Sequence, residues 1–426
     1  MKKQSLLQQT AFLSGANTVV RALGFVMRIW LSRAMGAEAM GVMELASSAH
    51  MLWIAPVTSG IPMAVSREAA AGQGEAALRA GKRLALRVSL LMLPALLVTS
   101  PLIARLLGDV RTLPSLLMYL PCLPILGLSA AYNGYCYGAG TTIPPAISEI
   151  LEQLTRFGVC VAVFWGISGM TAAWTAAVPP LATLVGEGVS LVAIMWLLKP
   201  LGMAVGGEVS RPLEKKIWKL AMPMTGMRVT NTLMRTFNAI IVPLRLRVSG
   251  LSGQEATARL GMLSGMAMPL IMLPSVVTGA LAMVAGPAMT RRERDPKALR
   301  RMLWKVLPAS LCVSLAAAAL LWVFAPWIAQ KLYRQPDLQM LLKAMWPMIP
   351  IMGVQQVASG MLAGLGKQRN ALVASLAGGL LTLLLNYILT PEHRLLGCVW
   401  AQIAGNGVAL VMNLRVLIRN VRREPV

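Results

Sequence analysis

The sequence predicts an all-α polytopic membrane protein of about twelve transmembrane helices, arranged as two pseudo-symmetric six-helix lobes around a central cavity. Three observations predict it. Of the 426 residues, 56% are hydrophobic and 13% charged, about half the charged share usual in a soluble domain. The apolar residues fall into twelve runs long enough to cross a bilayer. The chain also repeats itself: Arg21-Ala-Leu-Gly-Phe-Val-Met-Arg28 is echoed 207 positions on by Arg228-Val-Thr-Asn-Thr-Leu-Met-Arg235.

The runs lie at roughly 9–35, 42–66, 84–107, 113–138, 144–168, 172–198, 215–246, 258–289, 303–330, 339–364, 369–390 and 396–418. Four carry helix breakers midway: Pro56, Gly60 and Pro62 in the second, Pro121 and Pro124 in the fourth, Pro179 and Pro180 in the sixth, Pro269 and Pro274 in the eighth. Such breaks are tolerated where a span lines a cavity, and transporters use them often. With the N-terminus inside, the inner segments hold 25 of the 40 Lys and Arg, the outer segments ten and the spans five. That bias sets both termini in the cytoplasm and an even number of spans.

The repeat extends further. Gly134-x3-Gly138-x-Gly140 matches Gly360-x3-Gly364-x-Gly366 at an offset of 226, as Trp174 matches Trp400; Leu45 and Pro56 match Leu263 and Pro274 at 218. Loop insertions make an offset drift in this way. Six spans per repeat put both repeats in the same orientation, related by an axis along the membrane normal. The division is a lobe at 1–199, a polar cytoplasmic linker at 200–214 and a second lobe at 215–426. The glycine stretches read as close helix packing and a tight turn, not a phosphate loop, because no strand precedes them.

Composition also excludes classes. A net charge of +24 invites nucleic acid, but the cations sit between apolar runs and no nucleic-acid motif accompanies them. Cys122, Cys136, Cys160, Cys312 and Cys398 are scattered without a CxxC pair, so neither a disulfide framework nor a zinc site is expected, and no cofactor motif is present. Lys2 and Lys3 precede an apolar stretch, but Arg21 and Arg28 break any signal-peptide core, so a retained first span is expected.

The arginines are the main chemical signal. Each costs about 2.5–3.5 kcal/mol at the centre of a span. Arg21 and Arg28, two turns apart, share a stripe with Ser14, Asn17 and Gly24; Arg228, Asn231, Arg235 and Asn238 form another at spacings of three, four and three. The second stripe can instead be structural pairing within the membrane, with Glu149 or Glu152 as partners. Against that, the spans hold four acids, Glu44, Glu149, Glu152 and Glu187, two of which can serve Arg156. Surplus positive charge in a cavity suits an anion, and the guanidinium fork suits phosphate. Arg21, Arg28, Arg228, Arg235, Asn231 and Asn17 are therefore the candidate anion-binding residues of the cavity.

Glu152 and Arg156 stand at i,i+4 in the favourable order, a self-satisfied pair or a gate. Glu149 lies one turn before. Glu44 and His50 read as packing groups or as coupling groups. Asn386, Gln402 and Asn406 either line the second lobe or bond between helices. The basic stretch 291–305 marks topology and meets anionic lipid.

Arg21-Ala-Leu-Gly-Phe, Gly36-Ala-Glu-Ala-Met-Gly41, Gly60-Ile-Pro-Met-Ala-Val-Ser66-Arg67, Gly134-Tyr-Cys-Tyr-Gly138, Ala146-Ile-Ser-Glu-Ile-Leu-Glu-Gln-Leu-Thr-Arg156 and Leu263-Ser-Gly-Met-Ala-Met-Pro-Leu-Ile-Met-Leu-Pro-Ser275 occur in an order and spacing that resembles polysaccharide flippases over nearly the whole chain. The resemblance is to the stage V sporulation protein B branch of the multidrug/oligosaccharidyl-lipid/polysaccharide exporter superfamily, which also contains the lipid II flippases. It implies a two-lobed helical transporter of undecaprenyl-pyrophosphate-linked saccharides for peptidoglycan, spore cortex or other envelope polymers. It places the protein in the bacterial cytoplasmic membrane, with membrane lipids and cell-envelope synthesis proteins as partners. In lipid II flippases, cavity arginines on the first helices of the lobes engage the pyrophosphate; Arg21, Arg28, Arg228 and Arg235 occupy comparable places. That branch usually has about fourteen spans, the extra pair forming a groove for the lipid tail in lipid II flippases; twelve are counted here. The alternatives are a multidrug or cation antiporter of the same superfamily, which would want cavity acids; a membrane-embedded glycosyltransferase, which would want a catalytic carboxylate on a large outer loop; and a non-transporting envelope scaffold. The expectation is a transporter, not an enzyme.

Overall fold

The computed structural model describes residues 6–199, 211–291 and 295–422, with the side chains at 6–14, 17, 291, 296 and 421–422 outside the description. Most of the expected linker at 200–214 lies outside the described residues. Those described are helical, with no strand among them. In order they form α1 (Leu6–Thr58), α2 (Gly60–Glu68), α3 (Gly74–Leu106), α4 (Leu113–Tyr119), α5 (Cys122–Gly138), α6 (Ile143–Gly166) and α7 (Ala172–Leu198). They continue as α8 (Arg211–Val248), α9 (Gly253–Leu260), α10 (Met268–Met272), α11 (Ser275–Arg291), α12 (Pro296–Trp327), α13 (Leu338–Met345), α14 (Met348–Gly364) and α15 (Gln368–Arg422).

Each of the twelve apolar runs falls on one of these helices, on part of one, or on consecutive helices. By length and composition alone, four helical stretches among the described residues can cross a membrane, or up to six when each bent pair counts as one. The first of these, Thr18–Leu106, holds three of the runs, and Gln368–Asn420 holds two. Among those that fall short are α6 and α8, which carry Glu149, Glu152 and Arg156 and the second arginine stripe. The chain is thus an all-α polytopic membrane protein.

The turns between runs follow from the breakers. Gly36, at φ 73° and ψ 173°, occupies a region essentially closed to residues with a Cβ, and splits α1 into two directions. Arg394 (φ 51°, ψ −130°) does the same in α15. α4 and α5 meet at 45° across Leu120–Pro121, and the stretch ending at Met272 meets α11 at 52° across Leu273–Pro274. Before Pro269 the helix widens into a π-turn segment, Gly261–Ala267, which absorbs the hydrogen bond that Pro269 cannot donate. The sixth run differs from expectation: α7 passes through Pro179 and Pro180 unbroken. Both rings are buried, and α7 is held along its length by α4 and α6, so neighbours fix the axis that the missing amides would otherwise let bend.

Contacts group the chain into two compact units, Met1–Thr236 and Phe237–Val426, so that residues 211–236 of α8 pack into unit 1. Its core joins Ile61, Val65, Leu84, Tyr132, Ile194 and Ile217. Unit 2 has a core of Ala285, Met289, Leu303, Val357, Met361 and Leu417.

The duplication is visible as repeated packing. In unit 1, a Cβ at Gly134 would overlap the Pro62 carbonyl and one at Gly138 the Ser66 carbonyl. In unit 2, one at Gly360 would lie 2.8 Å from the Ala282 Cβ and one at Gly364 would overlap the Gly286 carbonyl. Thus α5 presses on α2 as α14 presses on α11, through glycines 226 apart on partners 220 apart. Both helices also end alike. Thr141 donates its N–H to Cys136 and Lys367 to Leu362, each at 2.8 Å, around Gly140 (φ 71°) and Gly366 (φ 68°), the left-handed closure glycine favours.

Candidate functional site

The expected site residues of unit 1 lie on α1, α6 and α8, with Glu187 on α7. Trp30 of α1 makes edge-on contacts with Phe157 and Phe164 of α6, at 5.5 and 5.7 Å between ring centres, and Gly24 lies beside Gln153. This seats the first arginine stripe against α6. Arg28 donates to Glu44, so the first half of α1 is tied to its second half across the Gly36 break. Arg21 is exposed and has no ion pair among the described residues. The side chain of Asn17 lies outside the description.

Three residues beyond Glu44, the Ser47 hydroxyl is 3.1 Å from the Tyr119 hydroxyl. The Tyr119 ring stacks on His50 at 3.8 Å. His50 is buried, and its Nδ1 has no partner among the described residues. On α6, Arg156 bridges Glu152 one turn away and Glu187 of α7, both at 2.8 Å. Gly186 makes room for this: a Cβ there would lie 2.7 Å from the Arg156 Cγ. Glu149 lies one turn before Glu152 and is partly buried.

On α8, Arg228 and Arg235 are exposed and Asn231 is partly buried. Neither arginine has an ion pair or hydrogen bond among the described residues. Thr236, next to Arg235, donates to the Ser48 carbonyl at 2.9 Å, which sets this stretch of α8 against the Glu44–His50 part of α1. No hydrogen bond or ion pair joins the two arginine stripes among the described residues. In unit 2, Asn386 is 1% exposed and donates to Asn238 at 2.8 Å, and Asn406 bonds the Gln402 carbonyl of its own helix. Asn386 thus bonds between helices and lines no surface.

The structure therefore brings together Arg28 with Glu44, and Glu152 with Arg156, with His50 and Tyr119 among them. Sequence reasoning did not select Glu187, Ser47 or Tyr119. Glu187 carried a signal, an acid inside an apolar run; Ser47 and Tyr119 carried none. It also did not find the cluster at the other ends of these helices, where Arg111 bonds Asp109 at 2.7 Å and Glu38. Among the described residues, no group of three or more His, Cys, Asp or Glu could hold a metal.

Broken apolar helices carrying ionised groups in their spans, packed as duplicated glycine-seamed bundles, are the build of a membrane transporter. A family model described as polysaccharide biosynthesis protein matches residues 6–293, and the MatE model matches 229–388. The chain belongs to the polysaccharide biosynthesis protein family. It is 27% identical over 429 residues to stage V sporulation protein B of Bacillus subtilis (strain 168), covering 95% of this chain and 82% of that one. Its fold is similar to an inward-facing multidrug resistance MATE family transporter of the MOP superfamily (TM-score 0.77, 18% identity, 94% of each chain). It is equally similar to the lipid II flippase MurJ in an inward closed conformation (TM-score 0.76, 13% identity, 96% of this chain and 89% of that one).

Proposed function

We propose that the protein is a flippase that carries undecaprenyl-pyrophosphate-linked saccharides across the bacterial cytoplasmic membrane by alternating access, with both termini cytoplasmic. The observation that carries this reading is that Arg21, Arg228 and Arg235 lie in membrane runs with no carboxylate partner among the described residues. A permanently charged group in that setting needs a counter-anion, and a pyrophosphate supplies one. Arg28, two turns from Arg21 on the same stripe, is held by Glu44. The headgroup enters from the cytoplasm with its tail in lipid, the arginines of the 1–199 and 215–426 lobes neutralise the phosphates, and the lobes rock. Glu44, His50, Glu149, Glu152 and Arg156 are the gating or coupling residues. Membrane lipids and envelope-synthesis proteins are the other partners, and the protein carries out no catalytic step of its own. The likeness to the MATE transporter and the pair of partly buried Glu152 and buried Glu187 favour a second reading, a cation-coupled antiporter; Arg156 sits on both carboxylates, which weakens it.

The test is outside labelling of the lipid II headgroup in cells where this protein is the sole candidate flippase. Depletion should remove the outside label and leave lipid II accumulated inside; an unchanged label would move the substrate elsewhere. Arg28→Ala with Arg235→Ala should slow flipping about tenfold or more per arginine, since a hydrogen bond to a charged group contributes about 1.5–3 kcal/mol. Wild-type flipping by a normally folded double variant would overturn the anion site.

A further inference from the structure

We propose that unit 2 binds an anionic phospholipid, its headgroup on the cations at the α12 start and its acyl chain in a groove between α11 and α14. The cations are Lys297, Arg300, Arg301 and Lys305 on the first turns of α12, and Lys367 and Arg369 just after α14, all exposed. Arg415 and Arg419, also exposed, close the same end from α15. One buried cluster holds these helix ends together, with Leu299 and Leu303 between the α12 cations, Leu365 before Lys367 and Leu417 between Arg415 and Arg419.

None of these eight cations has an ion pair among the described residues. The acid beside them, Asp295, accepts from the Ala298 N–H at 3.0 Å as a helix cap. Unit 1 pairs several of its cations internally, while Arg67, Arg83, Lys215 and Lys219 have no ion pair among the described residues. There Arg79 pairs with Glu75, Arg87 with Glu214 and Lys216 with Glu68, while Lys82 donates to Tyr132. A general bias of cations toward one side of the membrane charges such ends, but at the α12 end none of the eight cations has an ion pair among the described residues.

The groove supplies the second half of the site. Its volume is about 640 Å3, within the range of ligand clefts. Ala282, Met283, Pro287, Gly360 and Ala363 line it, and Thr290 and Gly364 end it where the cations begin. It exists because the glycine seam brings the two backbones together and leaves no side chains to fill the outer furrow. Met283 and Trp304 are 71% and 67% exposed. Trp304 follows Arg300 and Arg301 by one turn, the position of an interfacial anchor. Apolar walls running into cations that have no ion pair among the described residues match a lipid with a negative headgroup. A zwitterionic lipid would fill the groove but leave the charge uncompensated.

The test is native mass spectrometry of the full-length protein in detergent, titrated with phosphatidylglycerol or phosphatidylcholine of identical chains. Wild type should retain phosphatidylglycerol about tenfold better, given the attraction of each basic residue for anionic lipid. Changing Lys297, Arg300, Arg301 and Lys305 to Gln should abolish the preference. Ala363→Phe should reduce retention of both lipids by filling the groove. Changing Arg67, Arg83, Lys215 and Lys219 to Gln, four exposed cations of unit 1, should leave the preference intact. Equal retention of the two lipids by wild type, a preference that survives the α12 substitutions, or one lost equally in the unit 1 control would each overturn the proposal. All the substituted residues are exposed, and thermal unfolding of each variant checks its folding.

Discussion

Arg28 and Arg156 are paired with carboxylates of the chain; Arg21, Arg228 and Arg235 have no such partner among the described residues. The difference was partly legible. Glu152 and Arg156 are one turn apart on one helix, so their pairing followed from spacing alone. Glu187 is 31 residues from Arg156 and Glu44 is 16 from Arg28. Those pairs depend on which helices become neighbours and on where α1 turns back, and no local pattern encodes either. The glycines were legible for the opposite reason. Their spacing of four marks one helix face, and that face is the contact. Gly364→Ala places a methyl group on the Gly286 carbonyl, backbone that cannot step aside. It should destabilise the protein by about 1–3 kcal/mol, and Gly138→Ala should do the same against Ser66. Gly158→Ala in α6, with open space around it, should instead be neutral or stabilising by up to about 1 kcal/mol. Thermal unfolding in one detergent distinguishes them, and equal effects at all three sites would refute the packing argument.

At the scale of the element, breakers predicted bends where they coincide with the end of a packed segment and misled where they do not. Pro121 and Pro274 sit beside the 45° and 52° bends. Pro179 and Pro180 are buried in a helix clasped by its neighbours and bend nothing, because tertiary packing outweighs the loss of two amides. Gly36 was visible as a family-like residue, but its role, an extended positive-φ link that α1 cannot make otherwise, is a backbone property. Gly36→Ala should therefore cost about 1–3 kcal/mol through strain alone, although nothing lies within 4 Å of the added methyl. The same change at Gly226, equally open but helical, is the control. A difference in thermal stability between the two, with Gly36→Ala the lower, is the expected result.

For the whole molecule, the duplication and the charge bias make one joint prediction. Repeats of six spans have the same orientation, so equivalent turns must face the same side of the membrane. Gly140 and Gly366 close equivalent turns in the two units, and 25 of the 40 cations fall on the side to which those turns are assigned. Thr141→Cys and Gln368→Cys, each made in a background with the five native cysteines replaced, should resist a membrane-impermeant thiol reagent applied to intact cells and react after lysis. Ser252→Cys and Gln335→Cys lie between spans on the opposite side and should react in intact cells. If residues 141 and 368 label from opposite sides, the repeats are inverted and the reading of six spans per repeat fails, whatever the substrate. If both label from outside, the repeat stands but the orientation reverses. The cations around Lys297 and Lys367 would then meet the outer leaflet, and the arginine stripes would have to receive their anion from the other face.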